Sequence, residues 1–439
     1  MPNDLLSAHY EAIQARYSIH ENEAFATLVV PNGNCTSPYH RWFHLKEGFS
    51  SQLLLRIIEE ASLSSARALT LLDPFAGSGT TIASGLLWGS SKGRLVTACG
   101  FERNPFLHFV AQTKVNALTD GAPSFDKFVV RLLEIIKNKT VPPSPTPALS
   151  TFFNTLYFEP DVLRTLLEIH SAIVQAKGTA IERDLALLCL AGTVEPASRL
   201  RRDGRALRYE SSKMRVNPME EFTRRCRVII DDLAKCHGSG KGHVYYGDGR
   251  SVQSELPDSF SADLVLFSPP YPNNIDYTEV YKLEAWLLGF ISDKSQFRNL
   301  RLQTLRSHPS CMFPEVYEAS SNGLKAQFDE VIAPLLDSVP DNKDFLCRKR
   351  LIRGYFDDML RTLQNLRSFV NSKGKVVYVV GNSLHGSKDH TFLIAADLLI
   401  ARLAEIVGYE IEQIVVARRP KRRSSVPLLR ESIVFLRLR

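Results

Sequence analysis

No two of the seven cysteines in this 439-residue chain form a C-x-x-C pair, and no Cys/His cluster has zinc-ligand spacing. A structural metal is therefore not expected. Isolated thiols of this kind fit a reducing cytosol. A continuous apolar leader is also missing, since the opening MPNDLLSAHYEAIQARY carries acidic and polar residues where a signal peptide would need one. Long hydrophobic runs are absent as well. Even residues 392–407 are interrupted by Asp397, Arg402 and Glu405, so no bilayer span is expected and the chain reads as cytoplasmic. There is no internal repeat. Neither sign of charge dominates: 54 Lys and Arg stand against 47 Asp and Glu, a net charge of +7. That excess suits a polyanionic partner but equally a solvated basic surface, so its position matters more than its sum.

With 44% hydrophobic and 23% charged residues the composition is that of a globular protein. The length allows two or three domains of roughly 100–200 residues. Short apolar runs recur at 68–73 (ALTLLD), 95–101 (LVTACGF), 243–246 (HVYY), 262–267 (ADLVLF) and 375–380 (KVVYVV), with two more at 411–417 and 432–438. Near-continuous apolarity over so few residues predicts strands buried on both faces of a parallel sheet. Helix signals lie between them. Residues 391–407 are apolar all round and stop at Gly408, while 354–370 are amphipathic. The alternation predicts a doubly wound α/β fold whose last two strands form an antiparallel hairpin at one edge.

Two segments break the alternation. Residues 116–242 contain a proline-rich stretch, VPPSPTP at 141–147, that excludes helix and central strand. Helix starts follow, a capping box at Thr179–Glu182 and a cap with first-turn proline at Asn217-Pro218. Residues 289–350 read as polar and irregular.

The strongest local signal is Asp73-Pro-Phe75-Ala-Gly77-Ser-Gly79-Thr80, which follows a buried strand and opens a helix. Such a turn lets a ligand approach the main chain closely. A nucleoside triphosphate would need a lysine that is missing, and a dinucleotide would need a third glycine where Ile82 stands. A nucleoside carrying a sulfonium needs no phosphate cradle, and Asp73 suits its charge. Glu102, ending the second strand, is placed for ribose hydroxyls; Asp248, after the third, can accept from an adenine amino group. Three acids at consecutive strand ends share one sheet edge, where ligands bind. The fourth strand ends in Ser268-Pro269-Pro270-Tyr271. Two prolines make that turn rigid and short of N–H donors, so it offers acceptors, as an exocyclic amine requires. Tyr271 offers a face for stacking a base, worth ~1–3 kcal/mol.

The pair DPFAGSGT and SPPY resembles the DNA amino-methyltransferases, which form N4-methylcytosine or N6-methyladenine. Residues 39–50 (YHRWFHLKEGFS) resemble the segment that precedes that family's cofactor strand, and 273–277 (NNIDY) an extension found in one branch. The resemblance covers about half of the chain. It implies a Rossmann-like class I methyltransferase fold with a mostly parallel seven-stranded sheet, a largely helical insert, and S-adenosylmethionine as cofactor. Phe49, Asp73, Phe75, Gly77, Gly79 and Thr80 are then expected at the cofactor, Glu102 at its ribose and Asp248 near its adenine. Ser268 and Pro269 would accept from the target amine, Pro270 would stiffen the turn, and Tyr271 would stack on a base flipped out of double-stranded DNA. Methylation at carbon 5 of cytosine is excluded, because no Pro-Cys dipeptide is present. A neutral Ser268 at the head of the tetrapeptide inclines the reading to cytosine N4.

Two basic runs are candidates for phosphate contacts: Arg199, Arg201, Arg202, Arg205 and Arg208 in the first insert, and Arg418 to Arg423 near the end. The expected organisation is residues 1–50 packing on the cofactor site, a catalytic domain from 51–115, 243–288 and 351–439, and inserts at 116–242 and 289–350. The first insert is the candidate for target recognition, with the insert at 289–350 the competing one, and a cognate restriction endonuclease is a possible partner. Three other readings remain open: an RNA base-amine methyltransferase, an inactive DNA-binding subunit, and a nicotinamide dehydrogenase that Ile82 disfavours.

Overall fold

Short apolar runs alternating with longer amphipathic ones fold as strands wrapped by helices, because each strand must bury both faces. The computed structural model of the chain describes residues 2–203, 206–273, 275–318, 323–340, 343–386, 390–420 and 426–439. Its strands are β1 (Ile19–Glu21), β2 (Ala68–Asp73), β3 (Leu95–Glu102), β4 (Leu200–Arg202), β5 (Leu207–Tyr209), β6 (Gly240–Tyr246), β7 (Ala262–Phe267), β8 (Val370–Gly381), β9 (Ser383–Gly386), β10 (Thr391–Ile394), β11 (Tyr409–Arg418) and β12 (Glu431–Leu438).

The main sheet has eight strands in the order β1-β11-β12-β8-β7-β2-β3-β6. Strands β6, β3, β2, β7 and β8 are parallel, and β12 runs antiparallel between β8 and β11. The chain builds outward from β2 to β3 and β6, then returns to lay β7 and β8 on the other side. The reversal leaves a crevice beyond the carboxyl ends of β2 and β7. This is the Rossmann-like class I methyltransferase topology, with one departure from the expected seven strands. Ile19–Glu21 pairs in parallel with β11, so β1 forms the edge and the terminal hairpin lies inside it. Three residues are too few to show a strand period in sequence.

Alternate side chains along each strand enter two separate apolar layers. Leu69, Leu71, Leu264 and Leu266 pack on one face, and Leu72, Val265 and Phe267 on the other. The helices of the first insert, Phe125–Lys137, Pro160–Gln175, Ala180–Ala197 and Pro218–Lys235, share the first of these layers. Both caps expected there are present. Thr179 and Glu182 form a reciprocal capping box, and Asn217 accepts from Met219 and Glu220 amides.

Three helix expectations need correction. Residues 391–394 are a strand, β10, paired with β9, and the helix begins only at Ala396. There the buried Asp397 carboxylate accepts from Arg430 and Ser432, a tertiary anchor that local periodicity does not carry. The amphipathic helix expected over 354–370 spans Lys343–Leu366, and Val370 already belongs to β8. Within the stretch read as irregular, Lys294–Gln303 and Lys325–Ser338 are helical.

Candidate active site and cofactor cavity

At the end of β2 the Asp73 carboxylate accepts from the Phe75 amide at 2.9 Å and from the Thr81 hydroxyl at 2.5 Å. Those bonds fold the turn back over its own strand. Gly77 and Gly79 then take φ of 54° and 81°, a left-handed backbone that side-chain-bearing residues rarely adopt. Gly79 caps the helix Thr80–Lys92. The Gly77 amide donates to Glu102 Oε2 at 2.9 Å, and the Asn104 amide donates to Oε1 at 2.7 Å. Glu102 therefore ties the loop after β2 to the loop after β3. The loop after β6 approaches more closely still, since a Cβ on Gly249 would lie 1.9 Å from the Pro74 carbonyl oxygen. Burial pushes both Asp73 and Glu102 up to about 7, against the pull of their hydrogen bonds.

One cavity collects most of the residues singled out in sequence. Phe49, Asp73, Phe75, Gly77, Thr80, Glu102, Asp248, Ser268 and Pro270 all line it. Gly79 and Pro269 do not; Pro269 is buried behind the turn. Asp248 is already engaged, because Arg250 grips both carboxylate oxygens at 2.7–3.0 Å. Burial alone would raise the Asp248 carboxyl, but the guanidinium outweighs it and holds the group below its usual range.

Tyr271 lines a second cavity with Lys46, Arg202, Asn273, Arg418 and Glu431. Its hydroxyl donates to Glu431 Oε1 at 2.8 Å, and Ser268 Oγ donates to the Tyr271 oxygen at 3.4 Å. Gly381 lets the ring lie close to β8, where a Cβ would stand 2.9 Å from Tyr271 Cε2. The two cavities share three residues, Glu47, Gly48 and Tyr277. The tetrapeptide thus spans both, with Ser268 and Pro270 on one side and Tyr271 on the other.

Several lining residues carry no sequence prediction of their own. Leu45, Glu47 and Gly48 come from the segment 39–50, which was singled out only as a whole. That segment is pinned from the first insert. Asp232 accepts from the Tyr39 amide, the Arg41 guanidinium and the Trp42 indole at 2.5–3.2 Å. Asp276 and Tyr277 belong to the NNIDY extension, but His308 lies in the stretch read as irregular and nothing local pointed to it. Among the basic residues, Arg201 and Arg208 are 65% and 73% exposed, and Arg199 reaches Glu159 and the Ser211 carbonyl. Arg202 departs from expectation. Its guanidinium is buried against Glu284 and lies over the Tyr281 and Phe43 rings, so little of it is left for a phosphate. Arg205 and residues 421–423 of the second basic run lie outside the described residues.

The lining tests which cofactor fits. Five carboxylates, Glu47, Asp73, Glu102, Asp248 and Asp276, stand beside a single guanidinium, Arg103. That balance repels a polyphosphate and favours a cation. Leu45, Phe49, Phe75, Phe101 and Leu107 supply an apolar surface for a purine and an alkyl chain. S-adenosylmethionine fits this donor set, and it supplies a methyl group on a sulfonium. Among the described residues no cluster of three or more His, Cys, Asp or Glu could hold a metal ion. No described helix is long and apolar enough to cross a membrane.

Strand order, glycine turn and acidic cavity together define the class: this is an S-adenosylmethionine-dependent methyltransferase. Its homologues are type II methyltransferases. It is 25% identical to type II methyltransferase M.BsoBI of Geobacillus stearothermophilus over 477 aligned positions, covering 95% of this chain and 88% of that one. It is 24% identical to type II methyltransferase M.AvaI of Nostoc sp. and of Anabaena variabilis, covering 96% of this chain and 90% of each. No family model matches the chain. Two solved structures of the rRNA methyltransferase aviRa from Streptomyces viridochromogenes align over 89% of the chain and 85% of theirs. At 10% and 12% identity and TM-scores of 0.30 and 0.29, that likeness is too slight to argue from.

Proposed function

We propose that the protein is a site-specific DNA methyltransferase acting on the exocyclic amine of a flipped base, N4 of cytosine. The observation that carries this reading is the tetrapeptide's position astride two adjoining cavities. One side has the acids and apolar surface that a cationic nucleoside needs. The other has Tyr271, Asn273 and basic residues suited to a base and its phosphate. A base in a duplex reaches such a pocket only by leaving the stack.

The chain's own residues divide the work. Phe49, Asp73, Phe75, Gly77, Thr80, Glu102 and Asp248 hold the cofactor, and Gly79 shapes the turn from outside the lining. Ser268 Oγ accepts from the target amine and turns its lone pair toward the methyl group, Pro269, buried behind the turn, and Pro270 keep the turn rigid, and Tyr271 takes the ring of the base. Alignment of the two partners lowers the barrier, and the Ser268 oxygen stabilises positive charge growing on nitrogen. A Ser at the head of the tetrapeptide accepts a hydrogen bond without adding a charge, which favours cytosine. The first insert, 116–242, reads the duplex, with Arg199, Arg201 and Arg208 on phosphates. Residues 51–115, 243–288 and 351–439 make up the catalytic domain. The homologues' type II class supports a restriction–modification setting in the cytoplasm, with a cognate endonuclease as partner.

The test is direct. The protein is incubated with methyl-labelled cofactor and duplex DNA, the DNA is digested, and the methylated nucleoside is identified by mass. N4-methyldeoxycytidine is the expected product. N6-methyldeoxyadenosine would overturn the choice of base, and transfer to RNA alone would overturn the choice of polymer. Ser268→Ala should lower the single-turnover rate by about a hundredfold, and an unchanged rate would remove Ser268 from the mechanism.

A further inference from the structure

An amine that gains a methyl group ends with one hydrogen too many. When the target nitrogen bonds to the methyl carbon, the carbon–sulfur pair departs with sulfur and the positive charge passes to nitrogen. One N–H bond then breaks, its electrons return to nitrogen, and the proton needs an acceptor. The tetrapeptide has none. Ser268 is an alcohol, both prolines offer only carbonyl oxygens, and the Tyr271 hydroxyl is itself a donor, to Glu431.

Four of the five carboxylates in the first cavity are already committed. Asp73 holds the Phe75 amide and Thr81, and Glu102 holds the Gly77 and Asn104 amides. Asp248 is gripped by Arg250. Asp276 caps the helix Tyr277–Val280 and lies 3.0 Å from Arg301. The fifth, Glu47, differs in position: of the five, it alone also lines the second cavity. Its Oε2 accepts from the Tyr281 hydroxyl at 2.8 Å, which fixes the carboxylate at the junction.

On the reading that the substrate is an exocyclic amine, we infer that Glu47 is the catalytic base: the N–H bond breaks, an O–H bond forms on its carboxylate, and the proton leaves to solvent. Burial raises the Glu47 carboxyl, while the Tyr281 hydrogen bond and the charges of Arg202 and Lys46 pull it down. Raised basicity suits a carboxylate to the task. The groups facing it are Lys46 on its own segment, Arg202 of β4, and Tyr277 and Tyr281 beyond the tetrapeptide.

The full chain with S-adenosylmethionine and duplex DNA provides the test. Glu47→Gln should cut the single-turnover rate by about a hundredfold. Dissociation constants for the cofactor and for DNA, each measured separately, should stay within about threefold of wild type. With cofactor and DNA saturating at every pH, so that the titration of Asp73 and Glu102 on cofactor binding does not enter, the acidic limb of the wild-type pH–rate profile should vanish. A rate within about threefold of wild type, an equal loss in cofactor affinity, or a limb that persists would each overturn the assignment. Should Glu47→Gln unfold, Glu47→Asp takes its place. It keeps a carboxylate, so its limb must remain with a shifted midpoint, and an unshifted midpoint overturns the inference. If the wild-type protein methylates no nucleic-acid amine, the functional reading itself has failed; if it does and Glu47→Gln does too, only the base is wrongly assigned.

Discussion

Glu102 accepts two backbone amides, yet burial still lifts its carboxyl to about 7, and Asp73 beside it lies at the same value. Below that pH these two acids are neutral in the cofactor-free cavity and offer nothing to a cation, while Asp248 and Asp276, held below their usual range, keep their charge. A ligand that needs the carboxylates must then expel their protons, at about 1.36 kcal/mol for each pH unit and group. The sign is therefore fixed: affinity for S-adenosylmethionine rises with pH up to about 7 and then levels off. Calorimetry at pH 6, 7 and 8 should show this, together with proton release at pH 6 seen as a dependence of the heat on the buffer. Glu102→Gln should weaken binding and flatten the profile, and tighter binding at pH 6 than at 8 would contradict the assignment. These acids were legible in sequence because each closes a buried strand, and strand ends are the fixed points of an α/β sheet. Glu47 was not. It sits in a loop without period, and what distinguishes it is the meeting of two cavities, which no local pattern encodes.

Elements are joined here by single buried carboxylates. Asp232, on the helix Pro218–Lys235, holds the segment that delivers Leu45, Glu47 and Phe49 to the cavity. Asp232→Ala leaves the Trp42 indole and the Tyr39 amide without their acceptor in a buried setting, and it frees Arg41. Loss of one partner from such a network should cost about 3 kcal/mol, read by chemical denaturation. Cofactor affinity should fall more than this destabilisation explains, because the cavity wall loosens. A stability change under about 0.5 kcal/mol, as at an ordinary surface position, would show the anchor to be dispensable. Helix ends with a chemical signature, the Thr179 box and the Asn217 cap, could be read from sequence. Strand β10 could not, because its pairing with β9 and the Asp397 anchor are tertiary choices that override an apolar run equally able to be helix.

Over the whole molecule, the net charge of +7 matters through its placement. Arg201 and Arg208 stand out from the hairpin β4–β5, whereas Arg202 beside them points inward to Glu284. Replacing Arg201 or Arg208 by Ala should weaken DNA binding across sequences and lower the slope of log K against log salt by about 1 each. The melting temperature should not move. Arg202→Ala strands a buried carboxylate instead and should destabilise the fold by about 3–5 kcal/mol. Unchanged salt slopes in both exposed variants would shift recognition to the region 289–350.

Sequence alone determined the parallel sheet, its glycine turn and its proline tetrapeptide, because strands buried on both faces must be apolar throughout and a ligand-bearing bend must shed its side chains. Only the tertiary structure decided that β1 covers the terminal hairpin, that Arg202 is a core ion pair, and that Glu47 stands between two cavities. Each of these depends on which distant surfaces pack together, and that is a property of the closed fold rather than of any short run of residues.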